Sequence, residues 1–285
     1  MNHLNTPSAV QRRPSVIVTP TVVVLIALAS AAASQALAAT PLPAPLQALQ
    51  KQGLSIVGTF PSPGGMTAYA AHAGTEPIAL YLTPDGKHVI AGSLFDATGR
   101  NLTTTALDKV VAQPMAESIW GQLAKSHWIA DGREDAPKTV YVFTDPNCPY
   151  CNKLWADARP WVDAGKVQLR HVMVGILTPT SAGKAAALLG ARQPAAALEA
   201  HERAHVASNA NTLASGRPKP LGDDSLKPLA VIPAALATQL DANAALMATY
   251  GLQATPALVW KDSKGSVQMR QGAPESDLPG IFGPR

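Results

Sequence analysis

The sequence of 285 residues has only two cysteines, few aromatic residues and few charges. Aromatic side chains make up 5% of the chain and charged side chains 15%, and the lysines and arginines form no cluster. A chain that is poor in aromatic residues and has no basic patch lacks the electrostatic footprint of a nucleic-acid-binding protein. We therefore expect no nucleic-acid partner.

The first 38 residues have the pattern of a secretory signal peptide. Arg12 and Arg13 form the basic N-terminal part of such a signal. Residues 21–33 form an apolar stretch that is shorter than a transmembrane helix requires, and Ala36-Leu37-Ala38 matches an A-x-A cleavage site. We predict cleavage after Ala38, with an uncleaved N-terminal anchor as the alternative.

Removal of this segment changes the charge balance. Arg12 and Arg13 are its only charged residues, so 21 of the 23 basic residues remain against all 19 acidic residues. The mature chain is therefore nearly neutral. Its length is ample for a buried core and can form one large domain or two small ones.

Residues 39–105 have the pattern of a small, mainly β unit. A short helix at 46–52 is followed by four runs typical of strands, at 54–60, 66–71, 78–82 and 88–95. The turn residues Pro63-Gly64-Gly65 and the segment 83–87 separate these runs. Apolar residues at helical spacing, Met115, Ile119, Trp120 and Leu123, then predict a helix over 113–127 within a linker at 106–130.

Residues 131–285 alternate between strand and helix patterns and form the second predicted domain. Residues 139–144 and 167–174 have strand character, and a helical pattern lies between them. An alanine-rich stretch at 181–250 predicts several helices that prolines interrupt, and residues 257–260 and 266–269 predict a closing hairpin. The prolines and glycines of residues 274–284 should interrupt a final helix.

The two cysteines lie three residues apart in Cys148-Pro149-Tyr150-Cys151. A disulfide at this spacing closes a very small ring and stabilises a fold little, so the pair indicates redox chemistry. The segment follows a strand and opens a helix, where unpaired N–H groups and the helix dipole favour a thiolate. Cys148 should therefore be the nucleophile and the more acidic and accessible thiol, and Cys151 should be the resolving thiol.

Two patterns raise the alternative of a metal site, and we reject both. Zinc at the cysteine pair would need two further ligands, and no second C-x-x-C or C-x-x-H occurs. His201-Glu202-Arg203-Ala204-His205 matches H-E-x-x-H, but neither His nor Glu occurs from residue 206 to 274 to complete a zinc site. We interpret this segment as a polar, solvent-facing helix. His127 and His171 lie in no motif.

The segment FTDPNCPYC at 143–151 resembles the active site of the DsbC/DsbG family of disulfide interchange proteins. Further similarity lies in ARPWVDAGKVQLR at 158–170, YLTPDGKH at 81–88 and SHW at 126–128, so it covers most of the mature chain. The dipeptide Pro149-Tyr150 favours the DsbG branch, because Gly-Tyr is usual in DsbC.

This resemblance implies an α+β fold with an N-terminal cystatin-like dimerisation domain, a linker helix and a C-terminal thioredoxin-like domain with a helical insertion. It also implies that Thr255 and a cis Pro256 form a substrate-binding loop against the cysteines. A periplasmic homodimer would result, with no cofactor. Its expected partners are a membrane thiol reductant of the DsbD type and oxidised or misfolded periplasmic proteins.

Three functions fit these features. The first is a thiol-disulfide oxidoreductase that reduces or isomerises disulfides and sulfenic acids in exported proteins. The second is a holdase chaperone with secondary redox activity, and the third is a thiol oxidase that donates disulfides. The first and third use the same motif and differ in reduction potential.

Overall fold

The structure is a computed structural model, and it describes residues 41–285. The predicted signal peptide lies outside these residues. No helix within the described range has the length and apolar character needed to cross a membrane.

The N-terminal unit consists of one helix and one antiparallel sheet, as the sequence predicts. The strands occur in the order β1-β2-β3-β4. Leu46 of the helix packs against Ala71 and Leu80 on one face of the sheet, and Val111 packs with Phe60 on the other. The elements are α1 Ala44–Lys51, β1 Ser55–Phe60, β2 Thr67–Ala73, β3 Glu76–Leu82 and β4 Val89–Ala91.

The fourth strand is shorter than the sequence predicts. It ends at Ala91, and Gly92 follows with a φ of 147°, which turns the chain away from the sheet. Phe95, which we expected in the strand, instead forms an isolated bridge with Asn101.

The helical part of the linker begins at Thr104 and ends at Lys125, whereas the sequence predicts a helix over 113–127. Helix α2 (Thr104–Leu107), a π-helical turn (Asp108–Ala112) and helix α3 (Gln113–Lys125) follow one another without a break. Strand β5 (Trp128–Asp131) begins inside the predicted linker at 106–130. Tertiary pairing decides this outcome, because β5 lies at the edge of the second sheet.

The second sheet is mixed, with strand order β5-β7-β6-β8-β9. Strands β6 and β7 are parallel, and the other neighbouring pairs are antiparallel. The strands are β6 Lys138–Thr144, β7 Val167–Met173, β8 Ala257–Lys261 and β9 Val267–Gln271. The helices are α4 Pro149–Val162, α5 Ser181–Leu189, α6 Pro194–Ala214 and α7 Ala234–Thr249.

Strand β6 lies at the centre of this sheet and is buried on both faces. Val140 and Val142 pack with Trp161 on one side, and Tyr141 and Phe143 belong to the core on the other side. A strand that is buried on both faces is expected to contain a continuous run of apolar residues, and the sequence of β6 has this pattern. The end of β6, which leads into the cysteine pair, is therefore rigidly placed.

The chain ends in a short helix, α8 (Leu278–Phe282), although prolines and glycines surround it. Pro279 is compatible with this helix because it lies in the first turn, where no N–H is needed. Ile281 and Phe282 join the core beside Trp161, whose Nε1 donates to the carbonyl of Gly283 at 2.8 Å. The C-terminal end of the chain is thus part of the hydrophobic core, although its helix is interrupted.

Candidate functional site

The cysteine pair lies where β6 gives way to α4. Cys148 is the N-cap residue of α4 and Pro149 occupies its first turn. The backbone N–H of Cys151 donates to Sγ of Cys148 at 3.3 Å, and the Cys148 thiol donates to the carbonyl of Thr255 at 3.4 Å. One sulfur therefore faces both a helix N-terminus and a distant loop.

The two thiols differ in acidity but not in exposure. Each cysteine is only 2% exposed, so the expected greater accessibility of Cys148 is absent. The hydrogen bond from the Cys151 thiol lowers the pKa of Cys148 most, burial opposes it, and hydrogen bonds from the Thr255 side chain and the helix N–H groups bring that pKa to about 7. Burial, followed by the neighbouring Cys148, raises the pKa of Cys151 well above its usual range.

Asp145 fixes the loop between the strand and the first cysteine. Its Oδ1 accepts from the backbone N–H of Asn147 and the hydroxyl of Ser181, both at 2.8 Å. Its Oδ2 accepts from the N–H groups of Ile176 and Leu177 at 2.8 and 2.9 Å. A fully buried carboxylate with four donors ties the active-site loop to the segment before α5.

Lys184 also holds the loop between β6 and Cys148 in place. Its ammonium group is completely buried and donates to Oδ1 of Asn147 at 2.7 Å, to the carbonyls of Leu221 and Gly222, and to Asp223 at 2.8 Å. A buried charge is tolerated only when partners surround it. Lys184 thus joins the active-site loop to the segment that follows α6.

The loop before β8 faces the cysteine pair. The peptide bond between Thr255 and Pro256 is cis. Oε1 of Gln271 on β9 accepts from the backbone N–H groups of Gln253 and Ala254 at 2.6 and 2.7 Å. This contact anchors the loop that carries the Thr255 carbonyl.

The H-E-x-x-H segment on α6 is buried against the active site, so the expectation of a solvent-facing helix is wrong. His201 and Glu202 are each 1% exposed. Nε2 of His201 donates to the carbonyl of Pro146 at 2.7 Å, and its Nδ1 accepts from the Ser225 hydroxyl at 2.8 Å. Burial lowers the pKa of His201 to about 4, so the ring is neutral at pH 7.

Helix α6 reverses the expected exposure because it packs directly on α4. Both ring nitrogens of His201 have protein partners, and the described residues contain no group of three His, Cys, Asp or Glu side chains placed to bind a metal. The segment contributes polar contacts to the active-site loop.

Glu202 reaches the residue that follows the second cysteine. Nδ2 of Asn152 donates to Oε2 and to the carbonyl of Glu202, both at 2.7 Å. Nδ2 of Asn209 donates to Oδ1 of Asn152 at 3.0 Å and to the carbonyl of Pro149 at 2.7 Å. Burial, followed by the charge of Cys148, raises the pKa of Glu202 to about 8.

Sequence reasoning missed three of these residues as parts of the site. Asp145 stands three residues before the nucleophile, where only its position next to the motif hints at a role. Lys184 and Glu202 lie in the alanine-rich helices, 36 and 54 residues beyond Cys148; Lys184 has no local signal, and Glu202 belongs to the H-E-x-x-H pattern that we interpreted as a surface helix. Their contacts arise from the folding of the inserted helices onto α4.

Exposed apolar side chains occur between the two cysteines and on the segment that Asp145 ties to the active-site loop. Tyr150 is 52% exposed, and Ile176 and Leu177 are about half exposed. The backbone of Ile176 and Leu177 is held to the active-site loop through Asp145. Large exposed apolar groups next to a reactive centre are typical of a binding surface.

Comparison with known proteins identifies both units. Residues 129–277 match the thioredoxin-like domain family, and residues 29–104 match the disulfide bond isomerase protein N-terminal domain. The chain is 49% identical to the thiol:disulfide interchange protein DsbG of Pseudomonas aeruginosa, with 87% of this chain and 91% of that protein covered. It is 38% identical to Escherichia coli DsbG, with 86% and 92% covered.

A more distant similarity, 27% identity, relates the chain to DsbC of Dickeya dadantii over 76% of this chain and 77% of that protein. The expected α+β fold, with an N-terminal isomerase-type domain and a C-terminal thioredoxin-like domain, is thereby confirmed.

Proposed function

The chain belongs to the DsbG family of thiol:disulfide interchange proteins, and on that premise we propose that it reduces or isomerises oxidised cysteines of exported proteins in the periplasm. Cys148 is the nucleophile and Cys151 the resolving thiol. The predicted signal segment at residues 1–38 supports export. An oxidising compartment is where proteins with disulfides to be corrected accumulate.

The exchange proceeds in two steps. The thiolate of Cys148 attacks one sulfur of a substrate disulfide and expels the other as a thiolate, which forms a mixed disulfide. With a substrate sulfenic acid, the same attack breaks the S–O bond and expels hydroxide, which takes a proton from solvent and leaves as water. Cys151 then attacks Sγ of Cys148 and releases the reduced substrate, so the protein leaves as a disulfide.

The observation that carries this proposal is the division of acidity between the two thiols. A pKa of about 7 places a substantial fraction of Cys148 in the thiolate form at neutral pH, while Cys151 stays protonated. Only the thiolate is nucleophilic. This arrangement favours initial attack by Cys148 and reserves Cys151 for the second step.

Polypeptide substrates fit the surroundings of Cys148. Tyr150 between the cysteines, and Ile176 and Leu177 on the segment tied to the active-site loop through Asp145, offer exposed apolar surface. The anchored loop at Thr255 and Pro256 presents backbone to an extended chain, which could pair with it as an additional strand does. The same apolar surface supports the second candidate, a holdase chaperone that binds unfolded chains.

Dimerisation through the N-terminal unit, residues 39–105, is the assembly we propose. Strand β4 is at the edge of its sheet, and Ile90 on it is 55% exposed. An exposed edge strand is a template for pairing with another chain. Replacement of Ile90 with Asp should lower the dimer fraction in light scattering. The matched variant Val231→Asp, in the catalytic unit, should not.

The reduction potential and two cysteine variants test the function. A reductase or isomerase should be reduced by a membrane thiol donor of the DsbD type and should release substrate from mixed disulfides. Cys148→Ser should abolish exchange, and Cys151→Ser should accumulate mixed disulfides.

If the protein instead donates its disulfide to reduced substrates faster than it reduces oxidised ones, it is an oxidase. Full aggregation suppression by a double serine variant, with no exchange by the parent, would establish the chaperone.

A further inference from the structure

A segment with two exposed cations borders the active-site loop, and the exchange mechanism gives it no role. Residues 217–220, which we call the proline segment, have the sequence RPKP and follow the end of α6. All four residues are exposed, whereas Leu221, which comes next, is buried with 8% exposure. The proline segment therefore lies on the surface and ends at a buried anchor.

The start of the proline segment is fixed by the end of α6. Gly216 has a φ of 69° and donates its N–H to the carbonyl of Leu213 at 3.0 Å. The N–H of Arg217 donates to the carbonyl of Thr212 at 3.3 Å. A left-handed glycine with these two bonds forms the Schellman motif, which ends a helix in a defined way. The chain therefore leaves α6 in one direction.

The end of the proline segment is bonded to the residue that precedes Cys148. The N–H of Leu221 donates to the carbonyl of Asn147 at 2.9 Å. The buried ammonium group of Lys184 donates to Oδ1 of Asn147 at 2.7 Å and also to the carbonyls of Leu221 and Gly222. These bonds hold the end of the proline segment beside the loop that carries the nucleophile.

The backbone between the two anchors has little conformational freedom. The ring of a proline fixes its own φ and restricts the preceding residue to extended conformations. Prolines at positions 218 and 220 therefore constrain all four residues of the proline segment. An extended chain of this length spans about 12 Å, at about 3.1 Å per residue. Because the backbone is already ordered, a contact with a substrate loses little backbone entropy there.

The two cations of the proline segment are not neutralised by neighbouring acids. Other charged side chains of the surrounding elements form ion pairs: Lys153 with Asp157, Arg159 with Asp131, Lys184 with Asp223 and Arg203 with Glu199. Within residues 41–285, Arg217 and Lys219 form no ion pair. Asp224 and Lys227, which are exposed further along the chain, have opposite charges that offset each other. The exposed rim therefore retains two positive charges.

We propose that Arg217 and Lys219 select substrates in which acidic residues flank the oxidised cysteine, an inference that rests on the proposed exchange function. A substrate sulfur bonded to Cys148 brings the neighbouring residues of its chain to the end of the proline segment. Lys219 lies two residues before Leu221, about 7 Å along an extended chain, so its long side chain reaches a carboxylate close to the substrate cysteine. Complementary charge speeds the encounter and disfavours partners of like charge.

Two peptides of equal length test this selection. Each contains one cysteine in a disulfide with an aromatic thiol, and the flanking residues are glutamates in one peptide and lysines in the other. Attack of the Cys148 thiolate on the peptide sulfur expels the aromatic thiolate, which absorbs visible light and reports the rate. Each rate is divided by the rate with a small uncharged thiol, because flanking charges also change the intrinsic reactivity of a disulfide.

The parent should react faster with the glutamate peptide than with the lysine peptide at low ionic strength. Replacement of Arg217 and Lys219 together with Gln should lower this ratio about five-fold, as expected for the loss of two exposed ion pairs. Replacement of both with Glu should invert the preference. In about 1 M salt, where charges are screened beyond about 3 Å, the preference of the parent should disappear. A ratio measured on one preparation is insensitive to partial loss of active protein.

Arg192→Gln combined with Lys264→Gln is the matched control for net charge. Arg192 lies between α5 and α6, and Lys264 lies in the turn between β8 and β9. This variant loses the same charge and should keep the ratio of the parent. An equal fall in the control overturns the assignment, and so does a parent without the preference or a proline-segment variant that retains it. A parent that releases the chromophore from neither peptide contradicts the exchange function itself.

Discussion

The thiol of Cys148 donates a hydrogen bond to the main-chain carbonyl of Thr255 at 3.4 Å, although 107 residues separate the two in the sequence. The sulfur is thus set between the start of α4 and the loop before β8. Its acidity depends on this assembly as well as on the helix, because a hydrogen bond with the side chain of Thr255 is among the causes that lower the pKa of Cys148.

The acidity of Cys148 can be measured by alkylation. Iodoacetamide should react with Cys148 of the reduced protein in a titration centred on a pKa of about 7. In Cys151→Ser the midpoint should change, because the hydrogen bond between the thiols is the largest cause of the lowered value. Mass spectrometry locates the modified residue. Preferential alkylation of Cys151, or a Cys148 midpoint near the free-thiol value of about 8.5, would contradict the assignment.

Gln271 should support exchange without touching a reacting atom. Its Oε1 holds the backbone of Gln253 and Ala254. Gln271→Leu removes both hydrogen bonds and should slow exchange with a disulfide-bonded polypeptide several-fold. Gln271→Glu keeps two acceptor oxygens and should stay close to the parent. Stopped-flow assays measure the exchange rate with a disulfide-bonded peptide and with a small disulfide. Equal rates with the peptide for the parent and Gln271→Leu would exclude this role of Gln271.

Lys184 should stabilise the loop that leads into the cysteine pair. Lys184→Met removes the donor for Asn147, Leu221 and Gly222 and leaves their buried oxygens without it. An unsatisfied buried acceptor costs about 1–3 kcal/mol, so the free energy of unfolding should fall by roughly 2–4 kcal/mol. Denaturant titration measures it. The exposed Lys227→Met serves as control, and equal stabilities of the two variants would contradict the prediction.

Glu202 should make the folded state less stable as the pH rises. Its pKa is about 8 in the folded protein, against an ordinary value of 4.5. The folded state therefore binds more protons than the unfolded state between these values, so the stability contribution is present below about 4.5 and is lost as the pH rises through 8.

Glu202→Gln removes this loss. Since one pKa unit corresponds to about 1.4 kcal/mol, the variant should gain at least that much over the parent between about pH 5 and pH 8. Chemical denaturation across this range provides the measurement, with Glu199→Gln as control. A parent and variant whose stabilities run parallel with pH would show that Glu202 is not held neutral by burial.

Local patterns predicted most of the secondary structure, and their errors have a common cause. The helices broken by prolines and the hairpin of β8 and β9 appear as predicted. The early end of the linker helix and the strand at Trp128 were missed, because β5 exists through pairing with β7. The C-terminal helix is interrupted, as expected, and α8 has only five residues, yet Phe282 packs on Trp161. In each case a tertiary contact overrides a local preference.

The sequence by itself determined the reactive pair and its place between a strand and a helix, because these depend on adjacent residues, whereas the role of Pro256 was implied only by the family resemblance. Tertiary structure alone decided which groups surround the sulfurs. Glu202 and His201 resemble a polar surface helix in sequence, and their burial follows from the packing of α6 on α4. A low dielectric environment shifts the pKa of Glu202 and Cys151 upward, and burial of that kind is a property of the folded chain.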